Sequence, residues 1–231
     1  MSWTRILLAL GATVGCSGEP DPTDTPVSDE EDTVVVEPEE PSYVSELLVI
    51  PDELRDAMVG VTWDHNCPVH LTDLRLLRFS HWNFEEVLVE GELVVAASAS
   101  EVMDGAMKLA FEGRFPLESA KPASAFDGDD DASMAANNTS AFNCRKVTGG
   151  ESYSQHSYGN AIDINPVQNP YVRGSTVLPE EGADYLIRDP NTPGLLTGDS
   201  ALTGHFLNAG WGWGGQWNSL KDYQHFSESG Q

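Results

Sequence analysis

Apolar residues alternate with polar ones in several stretches of this chain, and such alternation predicts β-strands. The clearest stretches begin at residues 74, 85 and 159 and read "LRLLRFSHWNF", "EEVLVEGELVVAAS" and "GNAIDIN". Within the second stretch, Gly91 is a candidate turn residue. We therefore expect a hairpin turn between Val89 and Leu93.

Two other stretches carry apolar residues at helical spacing. The first, "VMDGAMKLAFEG", follows Ser98 and Glu101, whose Ser-x-x-Glu pattern is typical of a capping box. The second, "SALTGHFLNAG", predicts a short helix that ends at Gly210. Because helices and strands do not alternate strictly, the pattern favours an α+β fold, a single domain with a central, mainly antiparallel sheet and flanking helices.

The chain is strongly acidic, with 37 acidic and 12 basic residues and a formal net charge of −25 at pH 7. Nucleic acids and anionic membrane surfaces require clustered Lys and Arg, and no such cluster occurs, so we expect neither partner. Four of the acids, Asp127 and Asp129 to Asp131, lie in the polar segment 126–143, which predicts a long ordered loop. The run lacks the glycine and the closing glutamate of an EF-hand, so a solvated loop is favoured over a calcium site.

The first 16 residues have the pattern of an export signal. Arg5 precedes a short apolar run, Ile6 to Val14, which is too short to span a bilayer. The following Cys16 stands where the lipobox of bacterial lipoproteins has the cysteine that carries lipid. We therefore expect an exported, membrane-anchored lipoprotein facing the cell envelope, with plain secretion as the alternative.

Residues 17–42 contain ten carboxylates and five prolines but neither Lys nor Arg. Such a segment cannot bury enough apolar surface to offset the loss of chain entropy, so it predicts a disordered tether. Residues 43–231 are long enough for one domain with a hydrophobic core. We expect this domain to act as a monomer.

If Cys16 carries lipid, Cys67 and Cys144 remain. In an exported chain, an even remainder favours a disulfide between them. The alternative is a catalytic thiolate, because His65 lies two residues before Cys67.

The segment "SYSQHSYGNAIDIN" places His156 seven residues before Asp163. Alternation in "AIDIN" directs Asp163 to the opposite face of a strand from its two isoleucine neighbours, so its carboxylate can face a cleft. Gly159 permits a tight turn or a close backbone approach between the two. One histidine and one carboxylate make half of a zinc site, and the alternative is an ordinary turn leading into a strand.

The C-terminal segment "LKDYQHFS" contains His225 and, three residues earlier, Asp222. A bend or a single helical turn would bring both side chains toward one centre. Two imidazoles and one carboxylate fill three positions of a tetrahedral zinc and leave the fourth for a water whose pKa the metal lowers to about 7. Asp222 would then act as general base toward that water and as proton donor to the leaving amine.

These segments resemble the VanY-like family of zinc D-Ala-D-Ala carboxypeptidases, which also includes L-alanyl-D-glutamate endopeptidases. The family's S-x-H-x-x-G-x-A-x-D motif is matched by Ser154, His156, Gly159, Ala161 and Asp163. Asp222 and His225 match its closing (D/E)-x-x-H motif. The resemblance covers roughly residues 67–226.

The resemblance implies a fold like that of the DD-peptidases and hedgehog proteins. It implies one Zn²⁺ held by His156, Asp163 and His225, with Asp222 as the catalytic acid and base. The family also uses an arginine, usually in a Y-R-S-like segment, to stabilise the oxyanion. This chain lacks that segment, and Arg145 is the nearest arginine upstream of the first motif, so we expect it to take that role.

The function implied is that of a zinc metallopeptidase, a hydrolase acting on peptidoglycan stem peptides as a D-Ala-D-Ala carboxypeptidase or as an L-Ala-D-Glu endopeptidase. A non-catalytic, zinc-containing cell-wall-binding module is the main alternative. Asp222 argues against that alternative, because a structural zinc needs no spare carboxylate three residues from a ligand. A cysteine peptidase would require Cys67 and Cys144 to be reduced.

Overall fold

A computed structural model of the protein describes residues 40–147 and 150–231. The predicted export signal with Cys16, and most of the predicted tether, lie outside the described residues. Residues from Pro41 onward form one unit, and its α+β class agrees with the prediction. In this part of the chain, no helix has the length and apolar character needed to cross a membrane.

The regular elements of this unit are mostly short strands, joined by turns and short helices. In chain order the strands are β1 (Ser45–Val49), β2 (Leu74–Trp82), β3 (Leu88–Ala96), β4 (Ser119–Ala120), β5 (Asn138–Thr139), β6 (Ala161–Asp163), β7 (Tyr171–Arg173), β8 (Thr176–Leu178), β9 (Gly212–Trp213), β10 (Lys221–Asp222) and β11 (His225–Ser227). The α-helices are α1 (Asp52–Met58), α2 (Ser100–Glu112), α3 (Asp130–Ala135) and α4 (Ala201–Asn208).

Antiparallel pairing dominates, but it is divided over three three-stranded sheets, with the strand orders β1-β2-β3, β10-β7-β8 and β6-β11-β9. The strands β2 and β3 lie in two stretches whose alternation predicted strands, and they form one long antiparallel hairpin. Its turn lies at residues 83–87, where the Asn83 side chain accepts hydrogen bonds from the backbone N–H groups of Glu85 and Val87.

The polar segment 126–143 was predicted to be a long ordered loop. It is not a continuous loop, since it carries α3 and β5.

The predicted turn at Gly91 is wrong. Gly91 lies inside β3 and pairs with Phe79 of β2. A Cβ atom at Gly91 would lie 2.9 Å from atoms of Ala120, His81 and Phe79. The glycine therefore provides room for neighbouring side chains rather than a turn.

The predicted capping box is also wrong. Helix α2 begins at Ser100 after a 3-10 turn over Ala97–Ala99, and no side chain caps its first turn. The Ser100 hydroxyl instead donates to the carbonyl of Ala97. The second predicted helix is present as α4, followed by Gly210 in a left-handed conformation with φ +86°.

The main hydrophobic core lies between α2, α4 and the inner faces of the strands. Phe206 of α4 stacks on Phe226 of β11 at a ring-centroid distance of 4.5 Å, and Trp213 of β9 stacks on Phe226 at 6.1 Å. Phe206 and Phe226 are fully buried. This packing anchors the strand that carries His225.

Cys67 and Cys144 form a disulfide with a sequence separation of 77 residues, as predicted. The bridge joins the turn after Trp63 to the segment that leads into the first motif. Such a long closed loop restricts the unfolded chain, which is expected to stabilise the fold by roughly 4 kcal/mol. The bridge also leaves no free thiolate at Cys67 for a cysteine peptidase.

Removal of the disulfide tests this contribution. The double substitution Cys67→Ala with Cys144→Ala should lower the free energy of unfolding by roughly 2–5 kcal/mol, measured by denaturant titration. A reductant should lower the melting temperature of the native protein and leave that of the double variant unchanged. An unaltered unfolding free energy in the double variant would contradict the expected role.

His81 is a buried histidine outside the motifs, with 1% of its surface exposed. Its Nδ1 contacts the carbonyl of Trp82 at 3.2 Å, while its Nε2 has no hydrogen-bond partner. Burial lowers the pKa of His81 below its usual value, because the charged form is poorly solvated there.

Acid should therefore destabilise the fold through His81. The unfolded state takes up the proton first, so the stabilising contribution of neutral His81 is complete above the unfolded-state pKa of about 6.5 and is lost as the pH falls below it. His81→Gln should reduce the loss of unfolding free energy between pH 7.5 and pH 5.0. The matched control is His70→Gln, at an exposed histidine, which should keep the native pH dependence.

Candidate active site

Two neighbouring strands bring the two predicted motifs together. In the antiparallel pair β6–β11, Asp163 lies opposite His225 and Ile162 lies opposite Phe226. Alternation directs Ile162 and Phe226 into the core, where both are fully buried. The side chains of Asp163 and His225 consequently face the other way, into a cavity of about 390 Å³.

His156 approaches the same cavity from a 3-10 turn, Gln155–Tyr158. Ser154 caps this turn by accepting a hydrogen bond from the backbone N–H of His156. Gly159 ends it in a left-handed conformation with φ +73°, and its carbonyl accepts from the N–H of Ala96 in β3 at 2.7 Å. A Cβ atom at Gly159 would lie 2.6 Å from that nitrogen, so only glycine allows this close approach.

Backbone carbonyls orient both imidazoles. Nδ1 of His156 makes a short contact to the carbonyl oxygen of Ala141, and Nε2 of His225 lies 3.2 Å from the carbonyl oxygen of Gln231. A carbonyl oxygen only accepts hydrogen bonds, so each of these ring nitrogens carries the proton. In the neutral rings, the other nitrogen, Nε2 of His156 and Nδ1 of His225, therefore presents a lone pair to the cavity.

The two lone pairs converge on the Asp163 carboxylate. Nδ1 of His225 lies 2.9 Å from Oδ1 of Asp163, and Nε2 of His156 lies 3.2 Å from Oδ2. The two imidazole nitrogens are 3.2 Å apart, and the three donor atoms all lie within 4.8 Å of one another. Three electron-pair donors at these distances repel one another unless a cation lies between them, so the group could hold a metal ion.

The electrostatics of the group also favour a cation. Burial by itself would raise the pKa of Asp163, but the imidazoles of His156 and His225 outweigh it and hold the pKa below its usual range. Burial would lower the pKa of His225, but the carboxylates of Asp163 and Asp222 outweigh it and raise that pKa. Positive charge is thus stabilised at this position, whether a proton or a metal ion supplies it.

Asp222 lies beside the group, at the end of β10, which pairs with β7. A bend at residues 223–224 separates it from His225, as the spacing predicted. Its Oδ1 is buried and has no hydrogen-bond partner. Burial, together with the charge of Asp163, raises the pKa of Asp222 to about 6. A carboxyl group with these properties is suited to accept and release a proton near neutral pH.

Arg145 lies on the wall of the same cavity. Its backbone is tied to the turn that carries His156, because its carbonyl accepts from the N–H of Ser154 at 2.9 Å and its N–H donates to the hydroxyl of Ser157 at 2.9 Å. Its guanidinium forms an ion pair with Asp130 through Nε. The structure thus brings all five predicted site residues to one cavity.

Three further residues line the cavity or pack against the side chains that do. Trp217 lines it, with its ring centroid 5.6 Å from that of His225. Ala141 supplies the carbonyl that orients His156. Gly214 packs against Asp222, where a Cβ atom would lie 2.4 Å from the Asp222 carbonyl oxygen. No local sequence pattern indicated these contacts.

The fold and the site define an α+β domain with a buried group of two histidines and one aspartate that could bind a metal. Residues 148–228 match the family model of D-alanyl-D-alanine carboxypeptidase, and this segment contains both motifs. The match confirms the resemblance to the VanY-like family and supports a peptidase. No curated protein and no solved structure matches the chain significantly.

Substitution of the converging histidines tests the metal site. His156→Ala and His225→Ala should each weaken Zn²⁺ binding by more than about 100-fold, since even the partners that orient metal ligands typically contribute 10–100-fold. Asp222→Asn should retain the metal. The measurement is calorimetric titration of metal-free protein with Zn²⁺, with His70→Ala as an exposed control. Native affinity in His156→Ala would exclude this site.

Proposed function

We propose that the protein is a zinc metallopeptidase that hydrolyses peptide bonds in the stem peptides of peptidoglycan. The family match supports a peptidase that acts on D-Ala-D-Ala. The observation that carries the proposal is the convergence of three lone-pair donors beside a buried, unpartnered carboxyl oxygen of Asp222. Such a spare acid beside a metal-binding group serves proton transfer and has no use in a purely structural site.

The donor set is suited to zinc. Two neutral imidazoles and one carboxylate are a common set in catalytic zinc sites, which leave one position open. The residues that would hold the ion are His156 through Nε2, Asp163 through its carboxylate and His225 through Nδ1. The chemistry expected of zinc there is the activation of water and the polarisation of the scissile carbonyl.

Asp222 is assigned the proton transfers. As a carboxylate it accepts a proton from the attacking water at its unpartnered Oδ1, and as a carboxylic acid it donates that proton to the leaving amine. The raised pKa of about 6 places the two forms close in free energy near neutral pH. Gly214 allows the Asp222 backbone to lie close against the 212–216 segment, which helps to fix the position of the carboxyl group.

Arg145 is assigned the stabilisation of the oxyanion. Among the described residues that line the cavity, it is the only Lys or Arg. A fixed cation at this wall can stabilise the negative charge that develops on the carbonyl oxygen during attack. The hydrogen bonds between its backbone and Ser154 and Ser157 fix its position relative to His156.

The proposal includes export and tethering. The N-terminal charge and apolar pattern, Cys16, and the acidic, proline-rich residues 17–42 support a lipoprotein whose domain works at a distance from a membrane. The disulfide between Cys67 and Cys144 is consistent with an oxidising compartment. Peptidoglycan stem peptides occur in that location.

Digestion of purified peptidoglycan tests the activity. The zinc-loaded protein should release products, and a chelator should abolish the release. Loss of one terminal D-Ala would identify a carboxypeptidase, and cleavage between L-Ala and D-Glu would identify an endopeptidase, as read by mass spectrometry. One equivalent of bound zinc without any product would favour the non-catalytic wall-binding module.

Substitution of Asp222 tests its role in proton transfer. Asp222→Asn should lower kcat by roughly 10²–10⁴-fold, the usual contribution of a general acid or base, and should leave the zinc content unchanged. Asp199→Asn, at an exposed acid outside the cavity, is the matched control and should keep full activity. Native kcat in Asp222→Asn would refute the assignment.

A further inference from the structure

We propose that Asp130 is a positioning residue that fixes the guanidinium of Arg145 at the wall of the cavity. This inference rests on the proposed function, in which Arg145 stabilises the oxyanion. Asp130 belongs to the acidic run that the sequence alone indicated as a solvated loop. One of the four acids of that run therefore has a role in the site, although the family motifs do not include it.

The Asp130 carboxylate is divided between two partners. Its Oδ2 forms the ion pair with Nε of Arg145, and its Oδ1 accepts a hydrogen bond from Nδ2 of Asn143 at 2.7 Å. Nδ2 of Asn143 also donates to the carbonyl of Gly128 at 3.1 Å, and Asn143 is buried. The carboxylate is thus held in place by a rigid partner other than the arginine.

The backbone around Asp130 is also held. Asp130 is the first residue of α3, and the side chain of Asp129 caps this helix by accepting from the N–H of Ala132 at 3.1 Å. On the other side, Cys144 precedes Arg145 and is joined to Cys67 by the disulfide. Both ends of the ion pair therefore start from restrained segments.

The ion pair selects one orientation of the guanidinium. The guanidinium is a planar, charged group, so the ion pair with the Asp130 carboxylate restricts where that plane can lie, although the buried Nε itself donates no hydrogen bond. Nη1 has a contact of 3.4 Å to the carbonyl of Lys146. Without Asp130, the long side chain of Arg145 would sample other rotamers. Its guanidinium would then spend less time near the negative charge that develops on the carbonyl oxygen in the transition state.

The pair is unsuited to a purely stabilising role. The side chains of Arg145 and Asp130 are 35% and 31% exposed, and ion pairs with this exposure contribute little to global stability. The other acids of the run do not share the position of Asp130. Asp127 and Asp131 are exposed, and Asp129 is engaged as the helix cap.

The test compares Asp130→Asn with Asp131→Asn, a neighbouring exposed acid of the same helix. Rates are measured on a soluble stem peptide that ends in D-Ala-D-Ala, with the zinc-loaded full-length protein. Asp130→Asn should lower kcat by between about 10-fold and 100-fold with little change in KM, because the arginine acts mainly in the transition state. Asp131→Asn should match the native protein, and Asp130→Glu should recover part of the loss.

A double substitution connects the effect to Arg145. Arg145→Ala should lower kcat by roughly 10²–10³-fold, and adding Asp130→Asn should cause no further loss. Additive losses would overturn the positioning role. Native kcat in Asp130→Asn, with a large loss in Arg145→Ala, would overturn it while leaving the role of Arg145 intact. Native kcat in Arg145→Ala would refute the oxyanion assignment itself.

A spectroscopic readout is independent of turnover. In a ¹⁵N-labelled protein, the Nε–H signal of Arg145, assigned with Arg145→Lys, should be present and protected from exchange in the native protein and in Asp131→Asn. It should be broadened or lost in Asp130→Asn, with unchanged melting temperature and zinc content. A protected signal in Asp130→Asn would overturn the proposal. If Asp130→Asn does not fold, the same comparison is made with Asp130→Glu, whose longer side chain should shift the signal.

Discussion

The pairing of Asp163 with His225 across two antiparallel strands is the constraint on which the rest of the site depends. Backbone carbonyls accept hydrogen bonds from the outer nitrogen of each imidazole, so in the neutral rings the inner nitrogens and the carboxylate face one another as acceptors. Such an arrangement is electrostatically unfavourable without a positive charge at its centre. The fold holds that unfavourable arrangement in place, which is why the group is suited to bind a cation tightly.

Packing on the opposite face of the same two strands provides the stability that holds this group of acceptors together. Ile162 and Phe226 alternate with Asp163 and His225, and they pack into a core that includes Phe206 and Trp213. Asp163 and His225 are therefore each next to a buried apolar side chain that cannot move without opening a cavity. The same short strands supply both the core and two of the three side chains that could hold a metal, so the geometry of this group is coupled to folding.

The wall of the cavity is built by other means. In its described part, up to residue 147, the segment around Arg145 pairs only through an isolated antiparallel bridge between Lys146 and Tyr153. It is held by the disulfide at Cys144, by backbone hydrogen bonds to the turn of His156 and by the ion pair with Asp130. The arginine thus lies in a context that differs from the Y-R-S-like segment typical of the family. A cation at this wall places positive charge in the cavity of a strongly acidic domain, and at short distances this local charge outweighs the distant net charge.

The sequence by itself determined the features that depend on local pattern and residue chemistry: the strand with Asp163 facing away from the core, both main helices and the disulfide. The resemblance supplied the three residues that the structure brings together as a possible metal-binding group. Tertiary structure decided the features that depend on contacts between distant residues. Gly91 lies inside β3, where Ala120 and His81 leave no room for a side chain, and α2 begins after a 3-10 turn rather than at a capping box. The carbonyl of Ala141 and the carboxylate of Asp130 became part of the site only through packing. Every residue has a backbone carbonyl, so the sequence does not indicate that the carbonyl of Ala141 contacts His156. The sequence of the acidic run likewise does not indicate that Asp130, and not its neighbours, pairs with Arg145.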